Sequence, residues 1–332
     1  MTRPTINGNV NIIKPPEDKE ISPKSRAKIL VNRTDPQTGE RKDQLFNDSS
    51  PTTSQATDTS YAFTLRKNVY ENAEENEGEI DIADRDLWEL LKGLLGHYPY
   101  HIFQGPPVTL NSPYEPLILY WEKLEQATKE KPKNDNDKQA RLDLKLLLDI
   151  IASASGDLKL DKYFKIRDSN KEQKSVTFET LWTLFPPGAL VYGKPFQGQD
   201  QVFIVQDCIR PWPYFRRGLP REQASWILLC WTYDWDGKMF KRMSLKLEFE
   251  HFDGHKPITS LPYYPFELNE QHALIKDRLI EQGVKYRQFC TATQGSRMFE
   301  YSGEAIFVKK GFSGVQGDDD KVGLPVTPRR EA

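Results

Sequence analysis

Two hydrophobic periods follow one another along this chain. Between Asp84 and about residue 155 the apolar positions recur at helical spacing. Asp84 opens the first such segment, Leu87, Leu90, Leu91 and Leu94 share one face, and Gly96 supplies a stop, so the pattern predicts an amphipathic helix. A second helix is predicted to begin at Ser112, with Pro113 at its first position, Glu115 completing a capping box, and Leu117, Tyr120, Trp121 and Leu124 buried. The charged connector ATKEKPKNDNDKQAR separates it from RLDLKLLLDIIASA, whose apolar density suits a third, largely buried helix.

After Thr177 the period shortens to that of strands. The runs ALVYG, QVFIVQDCI, SWILLCWTYDW and MSLKLEFEHF are separated by Gly, Pro and Asp. Asp236 and Gly237 predict a tight hairpin, and Leu245, Leu247 and Phe249 alternate with Lys246, Glu248 and Glu250, which gives that arm one wet face. A closing helix is predicted from about Glu270 to Gln282, ended by Gly283, with Leu274, the stem of Arg278 and Leu279 or Ile280 laid on the sheet. The predicted fold class is α+β: a small helical layer, then a mainly antiparallel sheet or small barrel capped by a helix.

The ends of the chain show neither period. Up to about Ser60 the sequence is rich in Pro, Ser, Thr, Asn, Asp and Lys, with Phe46 as its only aromatic, and is expected to be disordered. Residues 61–83 read as an acidic lead-in, because ENAEENEGEID carries no basic partner, and residues 306–332 as a flexible tail. One domain over residues 84–305 remains, its helical part at 84–155 and its β-rich part at 175–305.

Composition narrows the function classes. A chain of 332 residues can bury a substantial core, and a net charge of -2 gives it no global attraction for nucleic acid or membrane. Cys208, Cys230 and Cys290 are odd in number and set among apolar residues, which reads as reduced thiols of an intracellular protein, cytoplasmic or nuclear. The N-terminus lacks the apolar core of a secretory signal, and no run approaches the roughly eighteen apolar residues of a membrane span.

Candidate chemistry is sparse. Gly188 to Lys194 matches the start of a phosphate-binding loop, but Pro195 stands where a Ser or Thr hydroxyl would hold Mg²⁺. The glycines at 311, 314 and 317 are followed by Asp318, Asp319 and Asp320, which would repel phosphate. His251, Asp253 and His255 gather three ligand types within five residues, although Asp253-Gly254 is also an ordinary turn signal. His97 and His101 are interrupted by Pro99, and Asp234 with Asp236 lacks the rest of a calcium loop. No nucleophile elbow, Cys-x-x-Cys or Ser-His pairing is visible, so no catalytic residue, cofactor or metal is expected.

One segment stands apart: Arg210, Trp212, Tyr214, Phe215, Arg216, Arg217 and Arg221 interleave aromatic and guanidinium groups between two predicted strands. Such residues line protein interfaces. They also stack and neutralise single-stranded nucleic acid. A third reading is an inter-strand loop with aromatics inward and arginines in water.

Leu181, Trp182, Phe185, Pro187 and Gly188 form one ordered element, and Phe252, Gly254, Ile258, Leu261, Tyr264 and Pro265 a second. Arg278, Leu279, Ile280, Gly283, Lys285 and Tyr286 form a third, closed by Tyr301 and Gly303. In this order they resemble the domain of unknown function that lies N-terminal to the ATPase module of fungal AAA+ ATPases, over roughly residues 84–305. The sequence reaches Ala332 without a Walker A loop, a Walker B acid or an arginine finger, so a chain truncated before the ATPase core is expected, and no ATPase residue is carried over. Because N-terminal regions of such machines select substrates or adaptors, the resemblance implies a non-catalytic binding or adaptor module. Its partner is expected to be a protein; the alternative is a single-stranded nucleic acid held by the 210–221 loop, and no membrane is expected.

Overall fold

Alternation rather than helical periodicity governs the first ordered part of the chain. The computed structural model describes residues 26–34, 41–45, 61–70, 76–101, 103–196, 198–214, 220 and 224–291. Strands β1 (Ala27–Thr34), β2 (Arg41–Leu45), β3 (Phe63–Val69) and β4 (Glu77–Ile82) precede helix α1 (Arg85–Leu95) and strand β5 (Val108–Asn111). They form a five-stranded sheet in the order β2-β1-β3-β4-β5, in which β1 and β3 run parallel and the other pairs antiparallel. Phe63, Ile82 and Val108 stand in register, as do Leu65, Ile80 and Leu110, and this face is buried.

The expectation of disorder up to Ser60 is therefore corrected at β1 and β2, and order begins well before Asp84. AKILV in β1 is a short apolar run that the polar composition around it concealed. The acidic run also changes meaning, because residues 77–82 are β4, with Ile80 and Ile82 inward and Glu79 and Asp81 outward. Arg66, across the sheet on β3, pairs with both of those carboxylates.

The helical layer follows: α2 (Glu115–Leu119), α3 (Trp121–Lys129), α4 (Asp135–Ala154) and α5 (Leu158–Glu172). Asp84 caps α1 as predicted, its Oδ1 accepting from Leu87 N at 2.9 Å. Ser112 does not begin a helix. Its hydroxyl accepts from Gly78 N at 3.2 Å, Tyr114 turns the backbone with φ 54°, and Glu115 becomes the first helical residue. The charged connector is partly helical as well, because Asn134 accepts from Asp137 N at 2.7 Å and starts α4 earlier than its apolar stripe. Asp157 caps α5, a helix whose single wholly apolar-buried position, Leu160, leaves almost no periodic signal.

The remaining elements are β6 (Ser175–Thr177), a 3-10 turn over Phe178–Leu184, β7 (Leu190–Gly193), β8 (Gln201–Cys208), β9 (Ser225–Trp235), β10 (Phe240–Glu250), β11 (His255–Pro257), β12 (Tyr263–Pro265) and helix α6 (His272–Cys290). The second sheet is antiparallel throughout, ordered β10-β9-β8-β7-β12, and open rather than a barrel; β6 and β11 pair as a separate ribbon. Asp236 closes the predicted hairpin by accepting from Lys238 N and Met239 N, both at 2.8 Å, with Gly237 at φ 95°. The fold is α+β.

One continuous core joins both sheets to the helices. At its centre Phe185 stacks on Trp226 (5.9 Å, 24°) and touches Phe249, while Phe178 packs edge-on against Phe252. Helix α6 departs from expectation. It runs through Gly283 to Cys290, because an exposed glycine is tolerated and Glu281–Lys285 and Tyr286–Asp234 bonds support the last turns. Its buried residue is Ile275, which joins Tyr192 and Phe266, whereas Leu274 is 72% exposed and Ile280 55%. Leu279 is half-buried in that cluster, and Arg278 reaches Asp200 instead of lying on the sheet by its stem. Among the described residues no helix is long and apolar enough to cross a membrane.

Candidate interaction surface

Antiparallel register places alternate residues of β7 to β10 on the face turned away from the core. Trp226, Leu228 and Cys230 point into the core, so Ile227, Leu229, Trp231 and Tyr233 point outward. Leu190, Ile204, Trp231 and Ser244 line up across four strands. Leu190 is 42% exposed, and Ser244 is too small to cover the indole beside it. The next outward row is Asp207, Leu229 and Lys246. Ile209, whose N–H donates to Ile227 O, carries the face on to the Arg210 segment.

Trp231 is dressed by two neighbours. The Arg242 guanidinium lies 4.3 Å above its ring, and Tyr233, 56% exposed, meets it edge-on at 5.3 Å. Helix α6 covers the adjacent row, where Tyr192, Val202 and Tyr264 pack with Ile275 and Leu279, and its Tyr286 reaches the hairpin end, edge-on to Phe240 and bonded to Asp234. The rest of the outward face carries half-buried and exposed apolar groups with exposed Arg242, Lys246 and Glu248 at its edge.

The predicted interaction loop splits in two. Trp212 turns inward, edge-on to Trp182 at 5.3 Å. Its Nε1 lies near the Asp157 carboxylate, which it helps to stabilise, without closing a hydrogen bond of normal geometry. Arg210 and Tyr214 turn outward as a cation–π pair 5.2 Å apart, Tyr214 being 61% exposed, while Arg210 O accepts from Trp226 Nε1 at 2.8 Å. Phe215, Arg216, Arg217 and Arg221 lie outside the described residues.

Beneath this segment the helical layer is tied to β8. Tyr100 Oη donates to Gln206 O (2.6 Å), and Tyr98 Oη donates to Glu115 (2.8 Å). Burial pushes the Glu115 carboxyl above its usual range, Asp207 adds to the shift, and the Tyr98 donor opposes it. Burial also raises the Cys208 thiol, with Glu115 and Asp207 adding to the effect, and pushes Cys230 up to about 12. Both sulfurs are therefore neutral, unactivated thiols at physiological pH.

The other sequence candidates come together only in part. His251 holds its ring 4.9 Å from Phe178 and its Nε2 3.8 Å from the exposed Asp253 carboxylate, whereas His255 is exposed on β11. Among the described residues no three metal-ligating side chains converge. Gly188 to Lys194 is not a wrapped loop: Leu190–Gly193 is strand β7, and Lys194 pairs with Asp200 at 3.1 Å. The sequence reading missed the outward face of β9. Its signal was present, because β9 is apolar at both parities, unlike β10 with its single wet face.

Fold and surface together define an α+β protein with an apolar sheet face that the described residues leave partly uncovered. A family model described as Domain of unknown function (DUF7025) matches residues 166–270, which take in every strand of the second sheet. The match includes the elements around Leu181 to Gly188 and Phe252 to Pro265; Arg278 to Tyr286 lie beyond it, and Tyr301 and Gly303 are outside the described residues as well. Neither a search of curated proteins nor one of solved structures gives a match.

Proposed function

We propose that this chain is a non-catalytic protein-binding module whose contact surface is the outward face of the second sheet, extended by Ile209, Arg210 and Tyr214. The observation that carries this reading is the cross-strand row of Leu190, Ile204 and Trp231, left open beside α6 by the described residues and bordered by Tyr233 and Arg242. Contiguous apolar surface that carries Trp, Tyr and Arg is the composition of a protein interface. The fitting partner presents apolar side chains flanked by carboxylates, which Arg210, Arg242 and Lys246 would meet.

A single-stranded nucleic acid fits less well. Among the described residues of the loop, Trp212 is turned into the protein and Arg210 already lies over one face of Tyr214. Service as a substrate- or adaptor-selecting region beside an AAA+ ATPase module is part of this proposal and rests on the sequence resemblance alone.

Photo-crosslinking tests the proposal. With benzoylphenylalanine at Tyr233 or Leu190, the same protein should be captured in cells, in nuclease-resistant adducts, and not with the probe at Thr109 on the first sheet. Equal capture from Thr109, or adducts that nuclease removes, would overturn it.

A further inference from the structure

Helix α6 turns a second face away from the rest of the protein. Among the described residues it buries Ile275 and half-buries Leu279 and Cys290, while its other positions are exposed. Tyr286 stays on the body through Phe240 and Asp234. Ala273, Asp277, Ile280, Val284, Arg287 and the cap residue Thr291 recur at alternating spacings of four and three, which places them in one stripe on the side of the helix opposite Ile275. Such a stripe is the seam by which one helix packs on another.

Two features select the occupant. The first is the order of residues about Gln282: Ile280 and Val284 are equally distant from it, as are Asp277 and Arg287, and Ala273 and Thr291. In an antiparallel pair of α6 helices with a two-fold axis at Gln282, Ile280 meets the partner's Val284, Asp277 meets the partner's Arg287, and each contact occurs twice. The stripe is complementary to itself. Gly283 beside it would meet nothing within 4 Å if given a Cβ, so the two backbones can approach.

The second feature is charge. Of the charged side chains on α6, Arg278 is held by Asp200, and Glu281 by Lys285 at 2.8 Å. Lys276, Asp277 and Arg287 have no ion-pair partner among the described residues. Asp277 and Arg287 are the charges on the stripe, and they are opposite in sign, so a partner of uniform charge would repel one of them. A second copy answers both.

We propose that α6 pairs antiparallel with α6 of a second copy of this chain, through a seam of Ile280 and Val284 closed at each end by an ion pair of Asp277 with Arg287. The stripe lies on the far side of α6 from the outward sheet face, and either surface can fail without the other.

Sedimentation equilibrium of the full chain across protein concentration tests the proposal. A reversible dimer is expected. Asp277→Arg and Arg287→Asp should each weaken self-association about tenfold or more, because like charges then face one another across the axis. An equimolar mixture of the two variants should restore the dimer, since one chain then carries arginine at both places and the other aspartate. Both positions are exposed, so thermal melts of the variants should match the unmodified chain. Trp231→Ala should dimerise as the unmodified chain does. A monomer at every concentration up to about 0.5 mM, single variants that keep the dimer, or a mixture that stays monomeric would each overturn the proposal.

Discussion

The two five-stranded sheets each bury one face in the common core but finish the other face in opposite ways. On the first sheet Arg66 joins Glu79 and Asp81, and Thr109 Oγ1 donates to Asp81 at 2.6 Å, so the polar groups satisfy one another. On the second sheet the corresponding face carries Leu190, Ile204, Leu229, Trp231 and Tyr233, with only part of it under α6. Outward charge that is paired within its own sheet describes scaffold. Outward apolar surface that the described residues leave uncovered describes a place kept for something else.

The largest test of this contrast is Phe63→Ala. Phe63 is fully buried on the first sheet, and its loss should cost about 3–5 kcal/mol in denaturant unfolding. A change below about 1 kcal/mol would mean that the first sheet contributes little to the shared core. Next comes Gly193→Ala, which forces Tyr263 away from β7 and should destabilise by about 1–3 kcal/mol. Wild-type stability there would show that the edge of the second sheet relaxes freely.

A smaller effect is expected at the joint between helices and second sheet. Burial raises the Glu115 carboxyl, so the folded state favours its protonated form. Its contribution is full below the ordinary carboxylate pKa and is lost as pH rises through the raised folded value. Glu115→Gln should therefore flatten the fall in stability with rising pH while keeping an acceptor for Tyr98, as thermal melts across pH 4 to 8 (roughly the carboxylate window) would reveal. Steeper loss in the variant would contradict the burial argument. Arg66→Met should cost about 1 kcal/mol or less, because both partners of the pair are partly solvated.

Much of the second sheet was legible from sequence because its strands are dense in apolar and aromatic residues and because Asp236-Gly237 marks the hairpin. The first sheet was not. Its strands β1 and β4 sit inside polar and acidic composition, and β4 reads as an acidic run until Arg66 is placed opposite by the fold. The start of α2 was misread for a similar reason, since Ser112 spends its hydroxyl on Gly78 rather than on a helix cap. Of the candidate surface, Arg210 and Tyr214 were legible as interface residue types, but the inward turn of Trp212 depends on Trp182 across the core. The row of Leu190, Ile204 and Trp231 needs strand register, which residue order alone does not supply.

A comparably small effect on folding is expected at the place of greatest consequence for binding. Trp231→Ala should change stability by about 0.5–1 kcal/mol, as the residue lies on the half-exposed outward face. Calorimetric titration of the protein captured by crosslinking at Tyr233, compared between the unmodified chain, Trp231→Ala and Arg66→Met, tests the central claim most directly. The outward-face account predicts that Trp231→Ala weakens binding about tenfold or more while Arg66→Met leaves it unchanged. Unaltered affinity in Trp231→Ala, or an equal loss in Arg66→Met, would contradict it.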